Sequence, residues 1–406
     1  MTTIPVRAQT LAIHGGQPVR STFLPYGRQS VDASDIQAVV EVLRSDWLTT
    51  GPKVSEFEEM FAKQVGAAHA VSFSSGTAAL HAAAFAAGLQ PGDEAITTPL
   101  TFAATANCVL YQGATPVFAD VSDDTLNIDP ERIAERISPR TRVVLPVDYA
   151  GHPADLAKII DVTRKHQLIV IEDACHALGA QYEGKSVGSI ADMTVFSFHP
   201  VKHVTTGEGG MVTTSNAHFA ETLRRFRNHG ISSEARQRQT AGQWQYEMVL
   251  LGYNYRLPDI LCALGIEQLK KLEANLARRR EIAARYSVAL REMPGVVPPI
   301  VNAEVNPAWH LYPIRLELER LTASRAEIFR ALRAENIGVN VHYIPVHLHP
   351  YYRERFGYKG NEFPIAERAY ERLISLPMFH GMSDQDVDDV IHAVAKVVEH
   401  YASERA

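Results

Sequence analysis

Apolar residues recur along this chain with two different periods, and their alternation organises its middle. Between residues 55 and 228, short apolar runs at 95–97, 116–121, 143–147, 168–171, 194–198 and 211–213 have the length and content of buried strands. Helical patterns lie between several of them, at 101–111 and at 154–166, the second opening after Pro153, where proline suits a first turn. This alternation predicts an α/β fold: a mainly parallel sheet with helices on both faces.

The pattern changes on either side. Residues 1–23 are a polar lead punctuated by Gly15, Gly16 and Pro18, and they read as an arm that packs on the body or on a partner subunit. Ile36, Val39, Val40 and Leu43 share one face of a helix capped by Asp32 or Ser34, and WLTTGP at 47–52 follows as a loop. Residues 223–252, which include SSEARQRQTAGQWQ, read as an exposed excursion. One long helical pattern then spans 257–293, with Ile260, Leu261, Leu264, Leu269, Leu272 and Leu276 near the helical period. Its run Arg278, Arg279 and Arg280 reads as a solvated face.

Four prolines in 294–307 mark a loop. Beyond it come a strand at 311–318, a helix at 325–335, a strand at 339–343, a long loop, a helix near 365–373 and a last helix from about Asp384. The expected division is an arm (1–23), a large α/β domain (24–270) and a smaller C-terminal α+β domain (271–406) joined by the long helix.

A length of 406 residues suits two such domains, and 46% hydrophobic with 21% charged residues is the composition of a globular enzyme. A net charge of -6 gives no basic footprint for nucleic acid or an anionic membrane, so a phosphate-bearing ligand must be held by local donors. Cys108, Cys175 and Cys262 are scattered and odd in number, which points away from disulfides or zinc and towards a reducing cytoplasm. No apolar stretch approaches a membrane span, and residues 1–10 lack the order of a signal peptide.

Three stretches carry candidate chemistry. Lys202 lies between the apolar run ending at Phe198 and a turn holding Gly207, Gly209 and Gly210, at the mouth of the sheet. Desolvation and neighbouring positive charge there would favour a neutral, nucleophilic amine, as Schiff-base chemistry requires. LIVIEDA at 168–174 reads as a buried parallel strand ending in Glu172 and Asp173 at a ligand crevice. VSFSSGTAALHAAAFAA at 71–87 reads as a strand, a small-residue turn and an alanine-rich helix, and such a turn suits a phosphate. An amine, an anion and a phosphate cradle are what pyridoxal phosphate requires, with Asp173 the candidate for its ring nitrogen. Asp148, in TRVVLPVDYAG, is a rival carboxylate. His342, His347 and His349 find no neighbouring carboxylate or cysteine that would complete a metal set, and no metal is expected.

The segments SSGTAAL, TPLTFAATAN, IEDACHALG, FSFHPVKHVTTGEGG and LGYNYRLPDI resemble, in order and spacing, the DegT/StrS-type family of PLP-dependent nucleotide-sugar aminotransferases. The resemblance implies the type I aminotransferase fold and a cytoplasmic homodimer with shared active sites. It implies that Lys202 carries the cofactor, Asp173 faces the ring nitrogen and His176 lies beside the phenolic oxygen. It places Phe102 over the ring, Gly76, Thr77 and Ser197 at the phosphate, and Asn254 at the partner's phosphate. Tyr26, Thr49 and His342 are implied at the sugar. Within the family, TPLTFAATAN, VDYAG, SFHPVK and VHYIPVHLHPYY look most like the pseudaminic-acid-pathway enzymes, which aminate carbon 4 of a UDP-linked 4-keto-6-deoxy-N-acetylhexosamine with an amino acid such as L-glutamate. Enzymes of the 4-amino-arabinose and perosamine type share the cofactor motifs. Sugar dehydratases of the same fold carry histidine at the lysine position, and a regulator without turnover is the remaining alternative.

Overall fold

In a computed structural model, which describes residues 10–233, 238 and 240–403, the strands of the middle segment form one sheet. Helices α1 (Ala33–Leu43) and α2 (Pro52–Val65) lead into β1 (His69–Phe73) and α3 (Gly76–Ala86). Then follow β2 (Glu94–Thr97), α4 (Ala103–Tyr111), β3 (Thr115–Phe118), α5 (Pro130–Arg136), β4 (Thr141–Leu145), α6 (Leu156–Lys165) and β5 (Ile169–Asp173). A short hairpin, β6 (Gln181–Tyr182) and β7 (Lys185–Ser186), precedes β8 (Met193–Ser197), β9 (Gly210–Thr214) and α7 (Ala217–Phe226).

Among the described residues the sheet has seven strands in the order β1-β9-β8-β5-β4-β2-β3. Only β9 runs against its neighbours, pairing antiparallel with both β1 and β8. Adjacent residues on a strand enter different cores. Val143, Ile171 and Val195 pack with α3 and α4, whereas Val144 and Val170 pack with Ile133 and Ile159 from the other side. Burial on both faces is why these strands read as continuous apolar runs. The C-terminal ends of β1, β2, β4, β5 and β8 therefore gather along one edge, where a ligand crevice forms in such sheets.

The long helical pattern is two helices, α8 (Asp259–Lys270) and α9 (Leu272–Arg291). At Lys271 ψ opens to -3° and the backbone N–H bonds to Gln268 O, so the ladder lapses for one residue. The apolar period runs across the break because Leu269, Leu272 and Leu276 enter the same core. Arg279 departs from the expected solvated face: it is 1% exposed, because it shares the inward face of α9 with Leu276, Ile282 and Ala283.

Past β10 (Val296–Val297) and β11 (Val305–Asn306), strand β12 (Tyr312–Leu316) lies between β10 and β13 (Leu373–Leu376). Helices α10 (Arg325–Ala334), α11 (Pro350–Phe356), α12 (Pro364–Arg372) and α13 (Asp384–His400) complete this part. The strand expected at 339–343 is not formed; Asn340 makes a single bridge to Ser375, and the pairing edge is taken by β13. No helix among the described residues is long and apolar enough to cross a membrane.

Asp32 caps α1 in a reciprocal box with Asp35. The apolar face expected of α1 is turned outwards: Ile36 and Leu43 are exposed, while Asp35 is buried beside Gln268 and Lys271, which both donate to it. Part of the expected arm, residues 1–9, lies outside the described residues, as do 234–237 and 239 of the expected excursion. The described arm packs on the body. Ala12 N and Val19 N donate to the Glu335 carboxylate, which also holds Lys396 Nζ at 2.9 Å, and Lys396 donates to Gln17 O. Glu335 is 0% and Lys396 2% exposed, so removing one leaves a buried, unpaired charge. Glu335→Ala is expected to lower stability by about 3–5 kcal/mol, read in a denaturant melt, and to speed amide exchange over residues 12–19.

Candidate active site

Helix α3 opens at the edge of the sheet with Ser75 as its cap, whose Oγ accepts from Ala78 N at 3.1 Å. Gly76 and Thr77 form its first turn and line a cavity of about 450 Å³. Free N–H groups and the positive end of the helix dipole meet there, which suits a phosphate. The glycines make the approach possible. A Cβ on Gly76 would sit 3.0 Å from Ser197 Cβ, and one on Gly210 would sit 2.5 Å from Ser75 O. Ser197, at the end of β8, faces the same cavity.

Asp173 ends β5 and reaches the cavity floor. Thr105 Oγ donates to its Oδ2 at 2.7 Å and Cys175 N to its Oδ1 at 3.2 Å. Its backbone is clamped by bonds to Pro146 O and from Asp148 N. The rival carboxylate, Asp148, is 0% exposed and turned away, with Oδ1 accepting from Ala154 N. Glu172 points to the other face of the sheet, where Thr194 Oγ donates to it, and burial pushes its carboxyl up to about 7.

Lys202 sits on the turn between β8 and β9, with Nζ 3.4 Å from His310 Nε2. Burial draws its amine down from the ordinary lysine value; the Asp173 carboxylate opposes this, and the Arg279 guanidinium adds to it. His176, 6% exposed, bonds through Nε2 to the Tyr343 hydroxyl at 2.9 Å, and its ring centroid is 4.4 Å from that of His310. Burial holds both imidazoles well below the usual histidine range, so both are neutral near pH 7. Phe102, at the cap position of α4, is 60% exposed on the cavity wall, an unusual placement for a phenylalanine that packs only against protein.

Tyr26 and His342 stand together on the outer wall, ring centroids 5.4 Å apart, with His342 Nδ1 2.9 Å from Ser375 Oγ. Thr49, expected at the sugar, is not brought to this cavity, and Asn254, expected at a partner's phosphate, lies outside it too. Thr49 is exposed on a loop whose next residues, Thr50 and Gly51, border a separate hollow with Glu58 and Arg227, because Asp259 ties down Gly51 N. Asn254 is exposed and bridges to Asn228; nor does it cap α8, whose cap position is Pro258. His347 also departs from expectation, since carboxylates do reach it: Glu367 Oε1 lies 3.0 Å from its Nε2, with Glu362 nearby. Glu362 lies on the loop before α12 and Glu367 in the first turn of that helix; Glu362 accepts from the backbone N–H groups of Lys359 and Gly360, and Glu367 from those of Asn361 and Phe363.

The sequence pattern leaves out Thr105, His310 and Tyr343. Thr105 follows the aromatic of TPLTF by three residues, so its helical position was available as a signal. His310 and Tyr343 arrive from the C-terminal region with no local signature. Pyridoxal phosphate fits what is present: a helix N-terminus opened by glycine, a lysine with its amine drawn down, a carboxylate and an exposed aromatic border one cavity.

Residues 29–395 match the profile of the DegT/DnrJ/EryC1/StrS aminotransferase family. The spore coat polysaccharide biosynthesis protein SpsC of Bacillus subtilis is 47% identical over 382 residues, which cover 94% of this chain and 98% of that one. The structure of Helicobacter pylori PseC, described as an aminotransferase involved in the biosynthesis of pseudoaminic acid, matches with a TM-score of 0.87 at 34% identity, over 94% of this chain and 100% of that one. Streptococcus pneumoniae Spr1654 in its PMP-form matches with a TM-score of 0.87 at 32% identity, over 93% of this chain and 99% of that one, and it is also solved in a PLP-form.

Proposed function

The chain belongs to the DegT/DnrJ/EryC1/StrS aminotransferase family of pyridoxal-phosphate-dependent enzymes, and from that premise we propose that it aminates a nucleotide-linked keto-sugar. The substrate in this reading is a UDP-linked 4-keto-6-deoxy-N-acetylhexosamine, the donor is L-glutamate, and the product feeds a cytoplasmic route to a polysaccharide. The observation that carries the chemistry is the meeting of Lys202, Asp173 and the α3 N-terminus around one cavity. The likeness to PseC and SpsC supports the sugar.

When bound, pyridoxal phosphate supplies an electron sink and the carbon that carries the amino group between donor and acceptor. The chain's own residues do the rest. Ser75, Gly76, Thr77 and Ser197 hold the phosphate against the helix dipole. Asp173 keeps a negative charge at the cavity floor, oriented by Thr105. Lys202, once free, takes and returns the proton at the carbon bearing the amine, and the desolvation of its amine favours the unprotonated base that this needs. His176, held by Tyr343, presents a neutral imidazole to the cavity where the cofactor would bind, and Phe102 would offer it an aromatic wall. Tyr26 and His342 orient the sugar.

The same reading divides the chain into the arm, the large domain to residue 270 and the small domain beyond, and pairs two copies. Asn254 lies outside its own cavity, and Ile36, Leu43, Trp244, Met248 and Leu251 leave apolar surface exposed, as suits an interface with a second copy. Thr49 and Asn254 then serve the partner's site.

The test is the visible spectrum of the cofactor-loaded protein before and after L-glutamate, followed by mass analysis of products from UDP- and GDP-linked 4-keto sugars. The expected result is a band that glutamate converts and that the UDP-linked N-acetylated keto-sugar restores, with gain of an amine. A band that no amino acid alters overturns the transaminase assignment; restoration only by a GDP-linked or arabinose-type sugar overturns the substrate.

A further inference from the structure

Arg279 is a cation where the fold gives it no counter-ion. It is 1% exposed, and among the described residues no carboxylate pairs with it. Its Nη1 donates instead to three backbone carbonyls, those of Trp309 at 3.0 Å, His310 at 3.4 Å and Met378 at 3.0 Å, and its Nε is buried without a partner. A buried charge without a partner is costly, and leucine or methionine would fill this inward face of α9 more cheaply. The carbonyls identify what the arginine serves. His310 carries the imidazole in contact with Lys202 Nζ, and Met378 N donates to Tyr26 O on the cavity wall.

We propose that Arg279 is a positioning residue of the active site: a fixed cation behind the pocket that anchors the His310 and Met378 segments and repels a proton from Lys202. The inference rests on the reading of Lys202 as the cofactor-bearing amine. The other titratable groups around that amine are Asp173, Cys175 and His176 from the end of β5, His203 beside it, His199 and Glu208 on the same turn, His310 before β12, and Tyr26, His342 and Tyr343 on the outer wall. Asp173 attracts a proton to Lys202. The thiol of Cys175 and the hydroxyl of Tyr343 are pushed far up by burial and stay uncharged, and His176, His203, His310 and His342 are drawn down and stay neutral. Arg279 is therefore the one fixed positive charge set against Asp173 around this amine, among the described residues.

The readout is the pH midpoint of the visible absorption band of the cofactor-loaded protein, which reports the charge on the lysine nitrogen. Arg279→Gln keeps hydrogen-bond donors to the carbonyls and removes the charge, and it should raise the midpoint by about one pH unit. Arg279→Lys keeps the charge and should leave the midpoint at the parent value. A folded Arg279→Gln protein with the parent midpoint, or an Arg279→Lys protein displaced as far as Arg279→Gln, overturns the inference. If the glutamine variant does not fold, the parent protein still decides. A buried cation escapes salt screening, so its midpoint should hold from low to high ionic strength, and a rise towards free lysine with salt overturns the assignment. Lys202→Ala separates the two readings: if it retains the band and its midpoint, the lysine assignment fails, whatever Arg279 does.

Discussion

Lys202→Ala should lose amino transfer by at least about 10²–10⁴-fold, the range for a removed proton-transfer group, and should lose the band that depends on the lysine while still binding the phosphate at α3. The turn between β8 and β9 leaves one amine at the rim of the cavity, in contact with a neutral imidazole. No neighbour can replace it. His203 is adjacent in sequence, yet its Nε2 lies 3.0 Å from Ala308 O and the ring is 2% exposed, so it is committed to the backbone. His310 is in place but cannot carry the cofactor covalently as an amine does. Arginine would not restore the function, because a guanidinium stays protonated. Steady-state turnover with L-glutamate, beside the absorbance spectrum, measures both effects. A Lys202→Ala protein with parental turnover would remove the lysine from the mechanism.

What the sequence revealed and what it hid follow one physical division. The α3 cradle, Asp173 and Lys202 were legible because each lies where a continuous apolar strand gives way to small or charged residues, and that junction is local. Their meeting in one cavity follows from parallel strands, whose ends share an edge. His310, Tyr343 and Arg279 were not legible, because tertiary packing alone brings them to the site. Arg279 was hidden further by its neighbours: Arg278 and Arg280 bracket it on a helix, and only the helical phase shared with Leu276 and Ala283 turns it inwards. The helix break at Lys271 was masked for a related reason, since one residue of altered ψ does not disturb the apolar period. Thr49 and Asn254 carry the opposite lesson. Their motifs are intact, but in this chain both are exposed and lie outside the cavity, so a local pattern did not place them.

Asp173→Ala should lower turnover by roughly 10²–10³-fold, the loss that follows when a preorganised charge opposite developing transition-state charge is removed. The two carboxylates nearest to it in the sheet cannot substitute. Asp148 is committed to Ala154 N, and Glu172 is turned to the far face of β5 with its carboxyl pushed up by burial. Asp173→Asn divides the effect. The amide keeps the shape, and its oxygen can still accept from Thr105 Oγ, so the floor of the cavity stays in place while the charge is gone. If charge is what Asp173 contributes, the asparagine variant should be nearly as impaired as alanine in kcat, with KM for the donor little changed. If Asp173 only anchors α4 through Thr105, the asparagine variant should work almost normally and Thr105→Val should reproduce the alanine defect. Measuring kcat and KM for these three variants therefore separates an electrostatic role from a structural one. The buried clamp on the Asp173 backbone, through Pro146 O and Asp148 N, makes each of them expected to fold.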